Sequence, residues 1–176
     1  TAARLVMSES DCLPGLIVDQ YADYLIFQAL TAGIAARLSV IVNALKELLK
    51  PVAILERSDD QVRQYEGLEK ISKWWLGDES TADQVDILEN ACRYRVDVSA
   101  GHKTGYYLDQ RINHQRVSEL CKDKNVLDCF TFTGGFSIQC LAAGAAHVTS
   151  VDSSQPAMDR LQEHLELNKI NPEKST

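Results

Sequence analysis

One stretch of the sequence, residues 125–167, narrows the range of folds more than any other. It opens with the apolar run NVLDCF, passes through TFTGG and a helix-like segment, and reaches a second apolar run, HVTSVD. An uninterrupted apolar run of this length predicts a strand of a parallel sheet that is buried on both faces. We therefore expect a βαβ unit, with strands over 125–130 and 147–152 and a helix over 136–143 between them.

Local signals mark the ends of the helices in this unit. Gly144 follows the first helix, where a helix-ending glycine is typical. Ser153 or Ser154 can cap the next helix, and Pro156 falls in its first turn. The pattern of strand, helix, strand and helix with short links predicts an α/β fold.

The loop after the first strand is the predicted ligand site. In such a unit this loop lies at the carboxyl edge of the sheet, where backbone N–H groups and the helix N-terminus face a ligand. Thr133, Gly134 and Gly135 are small enough for a ligand to approach the main chain. Asp152 ends the second strand, where an acid binds ribose hydroxyls in nucleotide-like cofactors, although it can also serve simply as a cap for the next helix.

The glycine pattern separates two cofactor classes. GxGxxG is absent, because Phe132 and Ser137 stand where its first and last glycines would fall. The loop therefore gives less room for a pyrophosphate to approach its backbone closely. NAD has a pyrophosphate and S-adenosylmethionine (SAM) has none, so this pattern favours SAM over NAD. Asp128 is suitably placed for the ammonium of a methionine group. GxxxxGK does not occur, so the sequence excludes a P-loop nucleotide site.

The first half of the chain indicates a small α+β domain over residues 1–98. Apolar residues from Ile34 to Leu49 recur at helical spacing and predict one amphipathic helix over 32–49, ended by Pro51. Cys92, Tyr94, Val96 and Val98 alternate with polar residues and predict the core-facing side of a hairpin over 85–98. We place the domain boundary near residues 97–100. Further strands are expected over 4–8, 16–19, 24–30 and 52–56, and a short helix over 59–70.

Charge and cysteine usage bound the class of protein. The formal net charge is −7 and neither half is basic, so the sequence has no strongly basic region of the kind that binds nucleic acid. The five cysteines have no CxxC pairing or metal spacing, which predicts free thiols and no metal site, with Cys129 and Cys140 packed in the core. The sequence has no signal peptide and no membrane-spanning stretch, which predicts a cytoplasmic protein.

The sequence also contains six motifs that occur in the same order in a known protein family. They are SDCLPGLIVDQY (10–21), ERSD (56–59), EGL (66–68), GHKTGYYLDQR (101–111), VLDCFTFTGGFS (126–137) and VDSSQPAMD (151–159). The chain resembles the bacterial large-subunit ribosomal RNA cytosine-C5 methyltransferase family over nearly all of its 176 residues. A typical member has an N-terminal PUA RNA-binding domain, a central α+β domain and a C-terminal, SAM-binding Rossmann-like domain.

The resemblance implies the central domain over 1–98 and a truncated Rossmann-like domain over 99–176. It also implies SAM as the cofactor, ribosomal RNA as the partner, and a set of cofactor-binding residues. That set is Lys103, Thr104, Gly105, Gln110, Arg111, Asp128, Phe130, Thr131, Thr133, Gly134, Gly135 and Asp152.

The resemblance places the catalytic cysteine of C5 methylation beyond Thr176, so we expect the 176-residue chain to be inactive by itself. The open edges of its two parallel strands would be covered by the first domain, by a second copy in a homodimer, or by a further segment. Three other functions remain open: an NAD-dependent oxidoreductase fragment, a methyltransferase for a protein or small molecule, and a non-catalytic interaction module.

Overall fold

A computed structural model describes residues 1–78, 84–99 and 104–176. Within those ranges the chain forms nine strands and six α-helices. The strands are β1 Ala2–Met7, β2 Leu16–Tyr21, β3 Tyr24–Ala29, β4 Ala53–Ser58, β5 Ile71–Leu76, β6 Gln84–Glu89, β7 Cys92–Asp97, β8 Asn125–Cys129 and β9 His147–Val151. The helices are α1 Ala32–Ala35, α2 Leu38–Leu49, α3 Val62–Tyr65, α4 Arg111–Ser118, α5 Gly135–Ala142 and α6 Gln155–Leu167. The mixed α/β class predicted from the sequence is confirmed.

The chain divides into two compact units that share one hairpin. The first unit comprises Thr1–Asp86 and Val96–Leu108, and the second comprises Ile87–Arg95 and Asp109–Thr176. The β6–β7 hairpin therefore contributes to both units. The domain boundary near residues 97–100 stays a prediction, because a division by contacts does not test which segments fold independently.

The first unit is built on a five-stranded sheet in the order β1-β2-β3-β4-β5. Its strands pair antiparallel except for β3 and β4, which are parallel. A parallel pair needs a crossover connection, and α1 and α2 supply it. Val18, Phe27, Val42 and Ile54 are almost fully buried in the core of this unit.

The helical segment that follows β3 is two helices and not one. The predicted single helix over 32–49 is wrong, because the chain leaves helical geometry at Arg37, whose φ is −115° and ψ 9°. The guanidinium of Arg37 donates to the carbonyl of Gly33 at 2.9 Å, which stabilises the break. The predicted apolar face also ends earlier than expected, because Leu48 is 80% exposed.

Strand β5 is an element that the sequence pattern did not predict. Its residues are half-buried or exposed, so hydrophobic alternation is weak. Its side chains are instead fixed by neighbours: the Trp75 indole donates to a carboxylate oxygen of Glu56 at 2.8 Å, and the Lys73 ammonium lies 4.4 Å from the Trp75 ring centre. The strand depends on its pairing with β4, which the local sequence does not predict.

The predicted hairpin is present as β6 and β7. A two-residue turn, Asn90-Ala91, joins the strands, and both residues have positive φ, as a tight hairpin turn requires. Cys92, Tyr94 and Val96 on β7 are buried as predicted, and Val98, which follows β7, is also buried.

The second unit contains the predicted βαβ unit. Strands β8 and β9 are parallel and in register, with Asp128 beside Ser150, and α5 connects them. Ser175 adds an isolated parallel bridge to β9, so the last residues extend this small sheet. Gly144, with φ of +96°, follows α5 as predicted.

The prediction that these strands are buried on both faces is wrong. Val148 and Ser150 are buried on one face, but Leu127 on β8 is 65% exposed and Val151 on β9 is 50% exposed. Cys129, predicted to pack in the core, is exposed for the same reason, whereas Cys140 on α5 is buried as expected. Alternate residues of a strand point to opposite faces, and the described residues cover only one of them.

Candidate functional site

The carboxyl ends of β8 and β9 bring the central part of the predicted site together. Because Cys129 lies beside Val151, both strands end at the same edge. The loop over 130–134 follows β8 at this edge, and Asp152 directly follows β9. The Thr131 N–H donates to the Val151 carbonyl at 3.1 Å, which ties the loop to the neighbouring strand.

The loop has an unusual backbone. Phe130, Phe132 and Gly134 all have positive φ, at 61°, 51° and 82°. Bulky residues rarely adopt this region, and such strain concentrates at functional sites. Phe130 is 91% exposed, so it does not gain burial in return. The loop thus presents an aromatic side chain and a strained main chain at the edge of the sheet.

Asp152 is held as a fixed carboxylate. Its Oδ2 accepts the Phe132 N–H and its Oδ1 accepts the Ser154 N–H, both at 2.9 Å. These backbone hydrogen bonds, that of Ser154 first, hold the pKa of Asp152 below its ordinary value. Each oxygen has a further lone pair and can accept a hydroxyl. The N-cap of α6 is Ser154, whose hydroxyl accepts the Ala157 N–H, so Asp152 is not itself that cap.

Asp128 lies inside a network of hydroxyl groups. The hydroxyls of Thr131 and Ser137 each donate to its Oδ2 at 2.6 Å. Because Ser137 uses its proton there, the Ser150 hydroxyl is the donor in the 2.8 Å contact between the two serines. This network joins β8, the loop, α5 and β9. A role for Asp128 toward a methionine ammonium stays a prediction.

The two glycines lie where the loop meets neighbouring elements. A Cβ on Gly134 would lie 2.0 Å from Cδ1 of Leu161 on α6, so α6 closes the space beside it. Gly135 begins α5, and its carbonyl accepts the Tyr94 hydroxyl at 3.3 Å. Among the described residues, no side chain caps the N-terminus of α5. The first-turn N–H groups of a helix have no partner within the helix.

Thr133 is fixed through its backbone by a residue that sequence reasoning did not single out. The Nδ1–H of His164 donates to the Thr133 carbonyl at 2.8 Å, and Nε2 accepts the Arg95 N–H at 2.8 Å. This arrangement assigns a neutral imidazole, and burial is the first cause that lowers the pKa of His164. A histidine in the last turn of a helix gives no sequence signal of such a contact.

The segment over 103–111 is divided between the units. Lys103 lies outside the described residues. Thr104 and Gly105 belong to the first unit, where the Thr104 hydroxyl donates to buried Asp19 at 2.5 Å. Gln110 and Arg111 belong to the second unit, at the start of α4. The structure therefore groups Asp128, the loop and Asp152 in one place. A cofactor-binding role for the other residues of the set stays a prediction.

A cleft of about 400 Å³ lies elsewhere, in the first unit. Its lining includes Arg4, Ser8, Thr31, Tyr65 and Glu66, and it shares no residue with the predicted cofactor set. The guanidinium of Arg4 is already bound to both oxygens of Asp19, at 2.8 and 2.9 Å. The sheet edge is the stronger candidate site, because strained backbone and a fixed carboxylate meet there.

Comparison with known sequences points to one family. The profile of the family of S-adenosylmethionine-dependent methyltransferases matches residues 13–173. The chain is 43% identical over 175 residues to ribosomal RNA large subunit methyltransferase I of Aliivibrio fischeri (strain MJ11), and 46% identical over 171 residues to the protein of that name from Aeromonas salmonicida (strain A449). These alignments cover 99% and 97% of this chain but 44% and 43% of the relatives. The chain thus spans less than half the length of the curated relatives it matches.

Solved structures have the same fold. A protein from Streptococcus mutans, described as a SAM-dependent methyltransferase, matches 100% of this chain and 45% of its own length, with a TM-score of 0.86 and 27% identity. A methyltransferase crystallised with S-adenosylhomocysteine (SAH) matches 99% of this chain and 44% of its own, again with a TM-score of 0.86 and 27% identity. A tRNA m1G37 methyltransferase of M. jannaschii, at 19% identity and a TM-score of 0.68, shares the fold over 90% of this chain and 44% of its own.

Proposed function

The chain belongs to the S-adenosylmethionine-dependent methyltransferase family, and from this premise we propose that its protein methylates large-subunit ribosomal RNA at C5 of a cytosine. The relatives named as ribosomal RNA large subunit methyltransferase I support the RNA substrate. The motif resemblance supports the base and the atom. The domain division at residues 98 and 99 is part of the same proposal.

One observation carries the assignment of the cofactor site: an ionised carboxylate, Asp152, is fixed between two backbone N–H groups at the edge of a parallel sheet. A carboxylate with spare lone pairs on both oxygens suits the two hydroxyls of a ribose. The first turn of α5, which no side chain among the described residues caps, suits the carboxylate of the methionine group. SAM, when bound, supplies an electrophilic methyl group on its sulfonium.

The remaining residues of the proposed site complete the recognition of SAM. Asp128 lies one residue before the end of β8, with Thr131 donating to it, and would counter the positive methionine ammonium. Phe130 offers an exposed aromatic face to the adenosyl group. Thr133, Gly134 and Gly135 shape the loop, and Lys103, Thr104, Gly105, Gln110 and Arg111 are included on the resemblance alone.

Methylation of C5 needs an activated base, because cytosine C5 is a poor nucleophile. A thiolate that adds to C6 would raise the electron density at C5 and make it nucleophilic toward the methyl group; SAH would leave as the new bond to C5 forms, and loss of the C5 proton would then release the thiolate. The resemblance assigns this thiolate to a cysteine beyond the present sequence. We accordingly expect the 176-residue chain alone to bind SAM weakly and to transfer no methyl group.

The test uses the protein expressed from its native gene. Calorimetry with SAM, SAH and NAD should show binding of the first two and none of NAD. Incubation with labelled SAM and ribosomal RNA should place the label at C5 of a cytosine. Label in protein or in a small molecule would overturn the RNA substrate, and label transferred by the 176-residue chain would overturn the location of the nucleophile.

A further inference from the structure

A buried carboxylate ends β6 and contacts the first turn of α4. Glu89 is 2% exposed, and a buried charge is tolerated only when it is paired. Its Oε1 lies 2.7 Å from Nδ1 of His114, and its Oε2 lies 3.9 Å from Nε of Arg111. Arg111 and His114 are three residues apart and lie on one face of α4. One side chain therefore fixes the rotation of this helix at its start.

The backbone of the same residue contacts α5. The side-chain amide of Gln139, which is 4% exposed, donates to the Glu89 carbonyl and to the Tyr94 hydroxyl, each at 3.0 Å. A third contact joins the two helices directly, because the rings of His114 and Phe136 meet edge to face at 4.4 Å. Glu89 thus links α4 and α5 from the end of β6.

Both helices follow segments of the proposed cofactor site. Gln110 and Arg111 open α4, and the loop over 130–134 leads into α5 at Gly135. A shift of either helix start moves the groups proposed to bind SAM. On the basis of the proposed function, we propose that Glu89 is a positioning residue for SAM. Glu89 acts through Arg111 and His114 and does not touch the cofactor.

The first measurement is SAH affinity by calorimetry in the protein expressed from its native gene. Glu89→Gln keeps the shape and one acceptor but removes the charge that pairs Arg111. We expect SAH affinity to fall about tenfold and the KM for SAM to rise by about the same factor, with kcat within about twofold. Glu119→Gln, on the exposed side near the end of α4, is the matched control and should leave SAH affinity unchanged.

A double-mutant cycle separates positioning from simple loss of stability. If Glu89 acts through Arg111, the combined Glu89→Gln and Arg111→Lys variant loses less SAH affinity than the sum of the two single variants. Additive losses, or a lowered unfolding midpoint with unchanged SAH affinity, would overturn the positioning role. If Glu89→Gln does not fold, His114→Gln takes its place, with the same expected loss and the same cycle.

Failure of the two proposals is distinguishable. A wild-type protein that binds no SAH contradicts the proposed function itself. A wild-type protein that binds SAH while both the Glu89 and the His114 variants bind equally well contradicts only the role of Glu89.

Discussion

At the scale of single residues, Asp152 carries the strongest assignment. Its two oxygens are oriented by the N–H groups of Phe132 and Ser154, so the hydroxyls of a ribose would meet a carboxylate that needs no rearrangement. Such preorganisation strengthens a charge-assisted hydrogen bond because little ordering entropy remains to be lost.

We expect Asp152→Ala to weaken SAH binding about tenfold or more, since charge-assisted hydrogen bonds contribute roughly 1.5–3 kcal/mol. Calorimetry at neutral pH measures the effect. Asp159→Ala on the exposed surface of α6 is the control and should bind SAH as the wild-type protein does. Equal affinity of the Asp152 and Asp159 variants would show that this acid does not hold the cofactor.

His164 makes stability depend on pH. Burial is the first cause that lowers its pKa, so the unfolded chain takes up a proton below the ordinary value of 6.5 while the folded chain stays neutral. The contribution of His164 is therefore complete above that pH and is lost as the pH falls toward the folded pKa. We expect urea midpoints to fall between pH 7.5 and 5.5 less steeply in His164→Gln than in wild type; equal slopes would contradict this.

At the scale of elements, the loop and α6 are fitted to each other at Gly134. The residue has a φ of +82°, and Leu161 occupies the space where a side chain would begin. The sequence indicated a glycine kept small for the cofactor, whereas the structure shows a neighbouring helix filling that space. Loss of cofactor binding in a Gly134 variant would therefore arise at least partly from displacement of the loop.

We expect Gly134→Ala to destabilise the protein by roughly 2–4 kcal/mol, from left-handed backbone and overpacking together. Urea unfolding measures the change. Adding Leu161→Ala should give a total loss smaller than the sum of the single losses, because the clash is removed. Gly33→Ala, where an added Cβ meets nothing within 4 Å, is the control and should not destabilise the protein; a Gly134→Ala variant as stable as this control would contradict the clash.

At the scale of the whole molecule, the cysteine thiols divide into an exposed and a buried group. All five cysteines are free; Cys12 in the first unit and Cys129 in the second are exposed, and the other three are buried. Burial first, and then the nearby Glu89 carboxylate, raises the pKa of the Cys92 thiol. Burial also raises the pKa of Cys140, with a further contribution from Cys121.

In the folded 176-residue chain, a thiol reagent such as Ellman's should therefore react fast with two cysteines. In the chain unfolded by guanidinium it should react fast with all five. Cys129→Ser should remove one of the fast equivalents. Three or more fast thiols without denaturant would contradict the burial of Cys92, Cys121 and Cys140.

The described residues contain no helix long and apolar enough to span a membrane.

The sequence by itself determined the elements whose signals are local. Gly144, Ser154 and Pro156 mark helix ends through their own backbone and hydroxyl chemistry, and the alternation through Tyr94 predicts a half-buried hairpin. The order of β8, the glycine loop and β9 likewise predicted the edge where Asp152 lies.

Only the tertiary structure decided features that depend on neighbours distant in sequence. Arg37 interrupts the predicted long helix, β5 exists because β4 pairs with it, and Leu127 is exposed because the described residues cover one face of its sheet. The links from His164 to the loop and from Glu89 to α4 join residues that are 31 and 25 positions apart. Periodicity and propensity report the local chain, whereas burial and side-chain pairing are set by which surfaces meet.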